Sequence, residues 1–168
     1  MSKIWVFFVG YRKRHHGWRS FLRLLMRRPS LAYAFFCAWA TSKLSRSDLI
    51  HVAISDTKVV LDPGIFGNVY WEAALFSLKY PRLVWCVEIR GLRDPCLARF
   101  EEPLRRTKVC LPTFLRWLTG FRCGARDCVT VVVSALRHAG ESVPERVITP
   151  QDLFDYLKLR GHTRIDMT

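Results

Sequence analysis

The sequence predicts an α+β domain in which a small antiparallel sheet packs against a helix that begins with a cysteine. Three observations carry this expectation. Short apolar or alternating runs bounded by turn signals recur at residues 3–9, 49–55, 58–62 and 82–90. Two later segments, 128–139 and 149–159, place apolar residues at helical spacing behind helix-start signals. Half of the 168 residues are apolar and no internal repeat or low-complexity linker divides the chain, which fits a single domain over 1–168 with one sizeable core.

Taken in order, residues 3–9 (Lys-Ile-Trp-Val-Phe-Phe-Val) form the first strand. Their apolar run is too short for a signal-peptide core and no small-x-small cleavage site follows, so a secretion signal is not expected. Residues 12–46 read as a basic and apolar helical insertion. Within it, residues 18–28 make an amphipathic helix with Arg19, Arg23 and Arg27 on one face and Trp18, Phe21, Leu22 and Leu25 on the other. Packing of that apolar face on the core is the first expectation, and docking on a membrane surface the second. Residues 30–41 read as a buried helix, too short for the roughly 20 residues a bilayer crossing needs. After the hairpin at 49–62, residues 63–68 read as a loop with two glycines, and 69–80 as a short strand followed by a helical turn. Residues 91–108 read as a loop with a short helix, 111–119 as a helix with Pro112 in its first turn, and 160–168 as a frayed tail.

The hairpin carries the first candidate site. A tight turn at Asp56-Thr57 places Ser55 opposite Lys58, and the same register sets His51 directly opposite Asp62. His51, Ala53, Ser55, Lys58, Val60 and Asp62 then share one face, which is offered as a site. Ile50, Val52, Ile54, Val59 and Leu61 share the other, which is buried. A carboxylate beside an imidazole fixes its tautomer and stabilises the imidazolium. Read without a thiol nearby, the same residues describe an ordinary half-exposed hairpin with a surface histidine.

Cys128 supplies the thiol. Asp127 is a candidate cap, and Val129, Val132, Val133 and Leu136 recur at helical spacing up to the Gly140 stop. The run Val129-Thr130-Val131-Val132-Val133 is β-branched and locally strand-like, but its length and the Ser134–Ala139 continuation favour a helix. The first turn of a helix is the positive end of its dipole, where an anionic sulfur or an oxyanion is stabilised. From the residues alone, a nucleophilic thiol and a buried core thiol stand on equal terms.

The order of these pieces resembles the permuted NlpC/P60 superfamily of papain-like cysteine hydrolases, which includes YiiX-like and lecithin retinol acyltransferase-like proteins. The similarity lies in Leu49-Ile50-His51-Val52-Ala53-Ile54, then Val59-Val60-Leu61-Asp62, the strand 83–89, Asp127-Cys128 at a helix start, and Thr149-Pro150-Gln151-Asp152-Leu153. Relatives carry asparagine more often than aspartate before the cysteine. The resemblance implies a permuted papain-like fold, with Cys128 as nucleophile, His51 as general base, Asp62 as orienting acid and a thioester intermediate. It also implies peptide, cell-wall or lipid acyl substrates, processed by a peptidase, amidase or acyltransferase.

Charge sets the class of partner. Lys and Arg number 27 against 14 Asp and Glu, giving +13, and no acidic residue occurs from 1 to 47. Such a balance attracts an anionic surface, either membrane or nucleic acid, through the basic N-terminal third. No nucleic-acid motif, glycine phosphate loop or dinucleotide fingerprint accompanies it. The six cysteines contain no Cys-x-x-Cys pair, so neither a structural metal nor a disulfide framework is expected, and no cofactor is called for. His138 stands ten residues along the Cys128 helix, about 15 Å from the thiol end, too far to serve as its base. The two functional expectations are a thiol enzyme and a non-enzymatic basic binding protein on the same fold, for instance a small virus-encoded accessory protein. A cytoplasmic or virion-associated location goes with either.

Overall fold

The computed structural model describes residues 3–10, 22, 25–29, 32, 36, 39–40, 42–43, 47–56, 59–64, 67–72, 83–90 and 127–166. The readings made for 73–80, 91–108 and 111–119 lie outside these residues, as do Trp18, Arg19, Phe21 and Arg23. The described elements are strands β1 (Lys3–Gly10), β2 (Leu49–Ser55), β3 (Val59–Gly64), β4 (Gly67–Glu72) and β5 (Leu83–Arg90), helices α1 (Cys128–His138) and α2 (Pro150–Leu159), and strand β6 (Thr163–Asp166). The strands form one six-stranded sheet in the order β4-β3-β2-β1-β5-β6, with every neighbouring pair antiparallel. The class is therefore α+β, with a cysteine opening the first of the two helices.

β1 lies at the centre of the sheet, pairing with β2 on one side and β5 on the other. Its period-2 pattern explains this place: Ile4, Val6 and Phe8 have no exposed surface. The register sets Val6 beside Ile54 and Val87, and Phe8 beside Val52 and Trp85. These residues share one core with Val129, Val132 and Leu136 of α1 and Leu153, Phe154 and Leu157 of α2. The Phe154 ring meets Phe8 edge-on at 5.3 Å, a favoured aromatic geometry.

Both helices begin and end on residues chosen for the purpose. The Asp127 carboxylate accepts hydrogen bonds from the Thr130 backbone N–H (2.7 Å) and hydroxyl (2.9 Å), which tips the β-branched run into a helix. Thr149 and Asp152 form a reciprocal capping box at α2, with Pro150 in the first turn. Gly140 (φ 100°) and Gly161 (φ 74°) close α1 and α2 in the left-handed region. In each case the glycine N–H and the one after it reach back to the last turn, Glu141 to Leu136 and His162 to Leu157 among them.

Four expectations require correction. The hairpin register is not the expected one: the Asp56 N–H donates to the Val59 carbonyl (3.3 Å), and the Asp56 carboxylate accepts from the Val59 N–H (3.1 Å). Ser55 thus pairs with Val60 and Ile54 with Leu61, a register two residues from the expected one. The face carrying His51 is not open either, because Ala53, Ser55, Val60 and Asp62 are all buried. Residues 63–64 and 67–68 lie on paired strands rather than in a loop: Pro63 pairs with Asn68 and Gly64 with Gly67.

The tail is the third correction: Thr163–Asp166 is a strand on the edge of β5, not frayed chain. Arg164 lies over the Trp85 ring at 4.0 Å, and His162 sits 3.7 Å from Glu141, which also accepts from the Tyr156 hydroxyl at 2.7 Å. Burial, together with that carboxylate, pushes the Tyr156 phenol up to about 12. The fourth concerns 22–43, where most of the described residues have helical backbone. Ala32 and Ala40 are buried as expected, but Phe36 and Trp39 are not, and Leu22 and Leu25 are exposed rather than packed on the core.

Gly161 has open space around its missing Cβ, so alanine there adds backbone strain and no clash. Gly161→Ala should lower the unfolding free energy by about 1 kcal/mol, and Gly161→Asn by less. Urea denaturation followed by circular dichroism measures both; an unchanged midpoint for Gly161→Ala would show that the α2–β6 corner is not held in this conformation.

Candidate active site

The three residues singled out in the sequence meet at one place. His51 Nε2 lies 2.6 Å from Asp62 Oδ1, across β2 and β3. Because side chains alternate, a register shift of two residues leaves both on one face and turns a direct pair into a diagonal one, within reach of a long side chain. The face assignment from the sequence therefore stands although the register does not.

The N-terminal end of α1 abuts β2 and β3, and Cys128 lies near enough to the His51 imidazole to raise its proton affinity. Cys128 is 6 % exposed, the His51 side chain 16 %, and Asp62 fully buried. A carboxylate taken fully out of water is stable as an anion only where charge or hydrogen bonds compensate it, and here the imidazole supplies a charge-assisted bond.

Electrostatics of the pair follow from this packing. Burial opposes the imidazolium, but the Asp62 hydrogen bond, followed by the contact with Cys128, outweighs it and raises His51 from 6.5 to about 10. His51 therefore has a high proton affinity, with Nε2–H donating to the carboxylate.

Helix geometry supplies the remaining chemistry. The first intrahelical bond runs from the Val131 N–H to the Asp127 carbonyl (3.1 Å), and the Thr130 N–H goes to the Asp127 side chain. The N–H groups of Cys128 and Val129 precede that first bond and sit beside the sulfur, where they can hold a negatively charged oxygen.

Two further residues fix the site and were not singled out from the sequence. The Ser47 hydroxyl donates to Gln151 Oε1 (2.7 Å) and accepts from the Leu49 N–H (2.9 Å), tying the start of β2 to α2. A serine just before a strand was the only local signal; its partner lies 104 positions away. Thr130, read before as one of a β-branched run, is the second donor to the Asp127 cap.

Among the described residues no group of three or more His, Cys, Asp or Glu is arranged to hold a metal ion. The described cysteines Cys86 and Cys128 are free thiols, and burial, with the Glu88 charge adding to it, pushes Cys86 up to about 12. No described helix is long and apolar enough to cross a membrane. Comparison with family models, with curated proteins and with solved structures finds no match to this chain.

The raised proton affinity of His51 has a definite sign in stability. A group whose folded pKa exceeds its unfolded value stabilises the fold fully below the unfolded value and loses that contribution as pH rises through the folded one. The His51 contribution should hold below about 6.5 and fade up to about 10. NMR titration of the imidazole should give a midpoint near the upper figure in the natural chain and a much lower one in Asp62→Asn. A midpoint near 6.5 in both proteins would show that the pair does not form.

Proposed function

We propose that this chain is a cysteine-nucleophile hydrolase or acyltransferase of the permuted NlpC/P60, papain-like kind. The observation that carries the reading is a single imidazole, His51, in contact with a buried carboxylate on one side and with a helix-N-terminal thiol on the other. The order histidine, acid, cysteine along the chain, and the antiparallel hairpin bearing the first two, agree with the resemblance described above.

The chemistry proposed is acyl transfer in two steps. Neutral His51 takes the proton of the Cys128 thiol to give a thiolate–imidazolium pair, which its high proton affinity favours, and the sulfur adds to an amide, isopeptide or ester carbonyl. Negative charge grows on the carbonyl oxygen, beside the N–H groups of Cys128 and Val129. The carbon–nitrogen or carbon–oxygen bond then breaks, His51 returns its proton to the departing amine or alcohol, and a thioester remains. Water or another acceptor gives its proton to His51 as it attacks the thioester, and the thiol is regenerated.

The position of Asp62 explains how one imidazole serves both as base and as acid. Part of what raises His51 comes from Cys128. Once the sulfur is acylated that part is lost while the Asp62 bond remains, so His51 holds its proton less tightly in the step where the leaving group needs it. Peptide, cell-wall and lipid acyl groups all present a suitable carbonyl.

The test is alkylation of the folded protein by iodoacetamide across a range of pH, with the modified thiols located by peptide mass spectrometry. Cys128 should react ahead of the other five cysteines, and His51→Ala should slow it by about 100-fold or more, the usual scale for loss of a general base. Asp62→Asn should slow it less and alter its pH dependence. If Cys128 reacts only on unfolding, the catalytic reading fails and a non-enzymatic binding protein on the same fold replaces it.

A further inference from the structure

Leu22, Leu25 and Met26 each have helical backbone and all three are exposed, Met26 by 79 %. Phe36 (46 % exposed) and Trp39 (48 %) lie three residues apart and touch ring to ring, with centroids 6.0 Å apart. Cations accompany both groups: Arg27 and Arg28 are exposed directly after Met26, and Lys43 is exposed four residues after Trp39. The absence of Asp and Glu from residues 1 to 47 leaves this charge uncompensated within the segment.

Large apolar side chains standing in water beside cations, in a segment without carboxylates of its own, are costly for a surface that only meets solvent. A highly charged partner without an apolar interior would leave Leu22, Leu25 and Met26 wet. An apolar protein partner would leave the arginines unmatched. A bilayer of anionic phospholipid satisfies both, since phosphates meet the guanidinium groups while aliphatic chains enter the boundary of the acyl region. Tryptophan is most stable at that same headgroup level.

We infer that Leu22, Leu25, Met26, Phe36 and Trp39, with Arg27, Arg28 and Lys43, form an interfacial docking surface for a membrane of anionic phospholipid. This surface shares no residue with the Cys128 site and does not rest on the catalytic reading. Attached in this way, the chain carries out its function at the membrane surface rather than across it.

Co-sedimentation of the full chain with vesicles tests the assignment. The chain should bind vesicles containing phosphatidylglycerol far better than vesicles of phosphatidylcholine alone, and raised salt should weaken binding. Arg27→Gln with Arg28→Gln should lower partition by about 30-fold, on the scale expected for two surface cations. Leu25→Ser with Met26→Ser should lower it by about tenfold or more through lost apolar burial. Cys128→Ala should bind as the natural chain does. These side chains are exposed, so thermal unfolding should be unchanged in the variants. The assignment is overturned if both kinds of vesicle bind alike. It is also overturned if the Leu25/Met26 variant binds normally while the arginine variant loses vesicles and a single-stranded oligonucleotide equally, since the segment would then be a site for any polyanion.

Discussion

The bond between His51 and Asp62 is the constraint on which the site depends. It joins adjacent strands of one hairpin, so its geometry is set by the sheet rather than by a loop. A buried carboxylate in this position binds the histidine as firmly as the histidine binds it, because each offsets the other's loss of water. The ring also lies near Cys128, where α1 begins. What α1 brings there is fixed by its cap: Asp127 draws in the Thr130 N–H and hydroxyl and leaves the first two N–H groups beside the sulfur. Two short-range decisions in the sequence, a hairpin and a cap, therefore position groups that lie far apart along the chain.

Much of this arrangement was legible from residue types. Alternation placed His51 and Asp62 on the same face, and Asp127, Cys128 and Gly140 marked the two ends of α1. What the sequence could not provide is what neighbours decide. The register was misplaced because Asp56 works as an acceptor for the Val59 N–H. The register therefore moved by two while the faces were kept, and the site survived an error in its own derivation. Strand β6 was missed for a different reason. Its four residues are all exposed, so they carry no apolar alternation, and they are held by the free edge of β5, by Arg164 over Trp85 and by the Glu141 cluster. The exposure of Phe36 and Trp39 was equally hidden, since an aromatic-rich helix reads the same whether it faces a core or not.

A histidine bridging a carboxylate and a thiol is a more demanding arrangement than any of the three residues alone, and nothing in core packing requires it. A core thiol such as Cys86 has its environment decided mainly by burial. Cys128 differs in having a titratable partner oriented by a second charge. The exposed side chains among residues 22–43 are a separate matter of surface chemistry, in which apolar and cationic groups occur together without the carboxylates that balance them elsewhere on the chain.

The central place of β1 also bears on how the site comes into being. Trp5 is opposite Ser55 on one side and Glu88 on the other, so the middle strand waits for partners far down the chain, whereas β2, β3 and β4 follow one another closely in sequence and pair in that order. Contacts close in sequence form early, and those that close long loops form late. His51 and Asp62 belong to the early class, and Cys128 reaches them only when α1 docks. A half-assembled molecule would then hold the imidazole beside its acid while the thiol is still elsewhere, so the three groups come together only with the last stage of assembly.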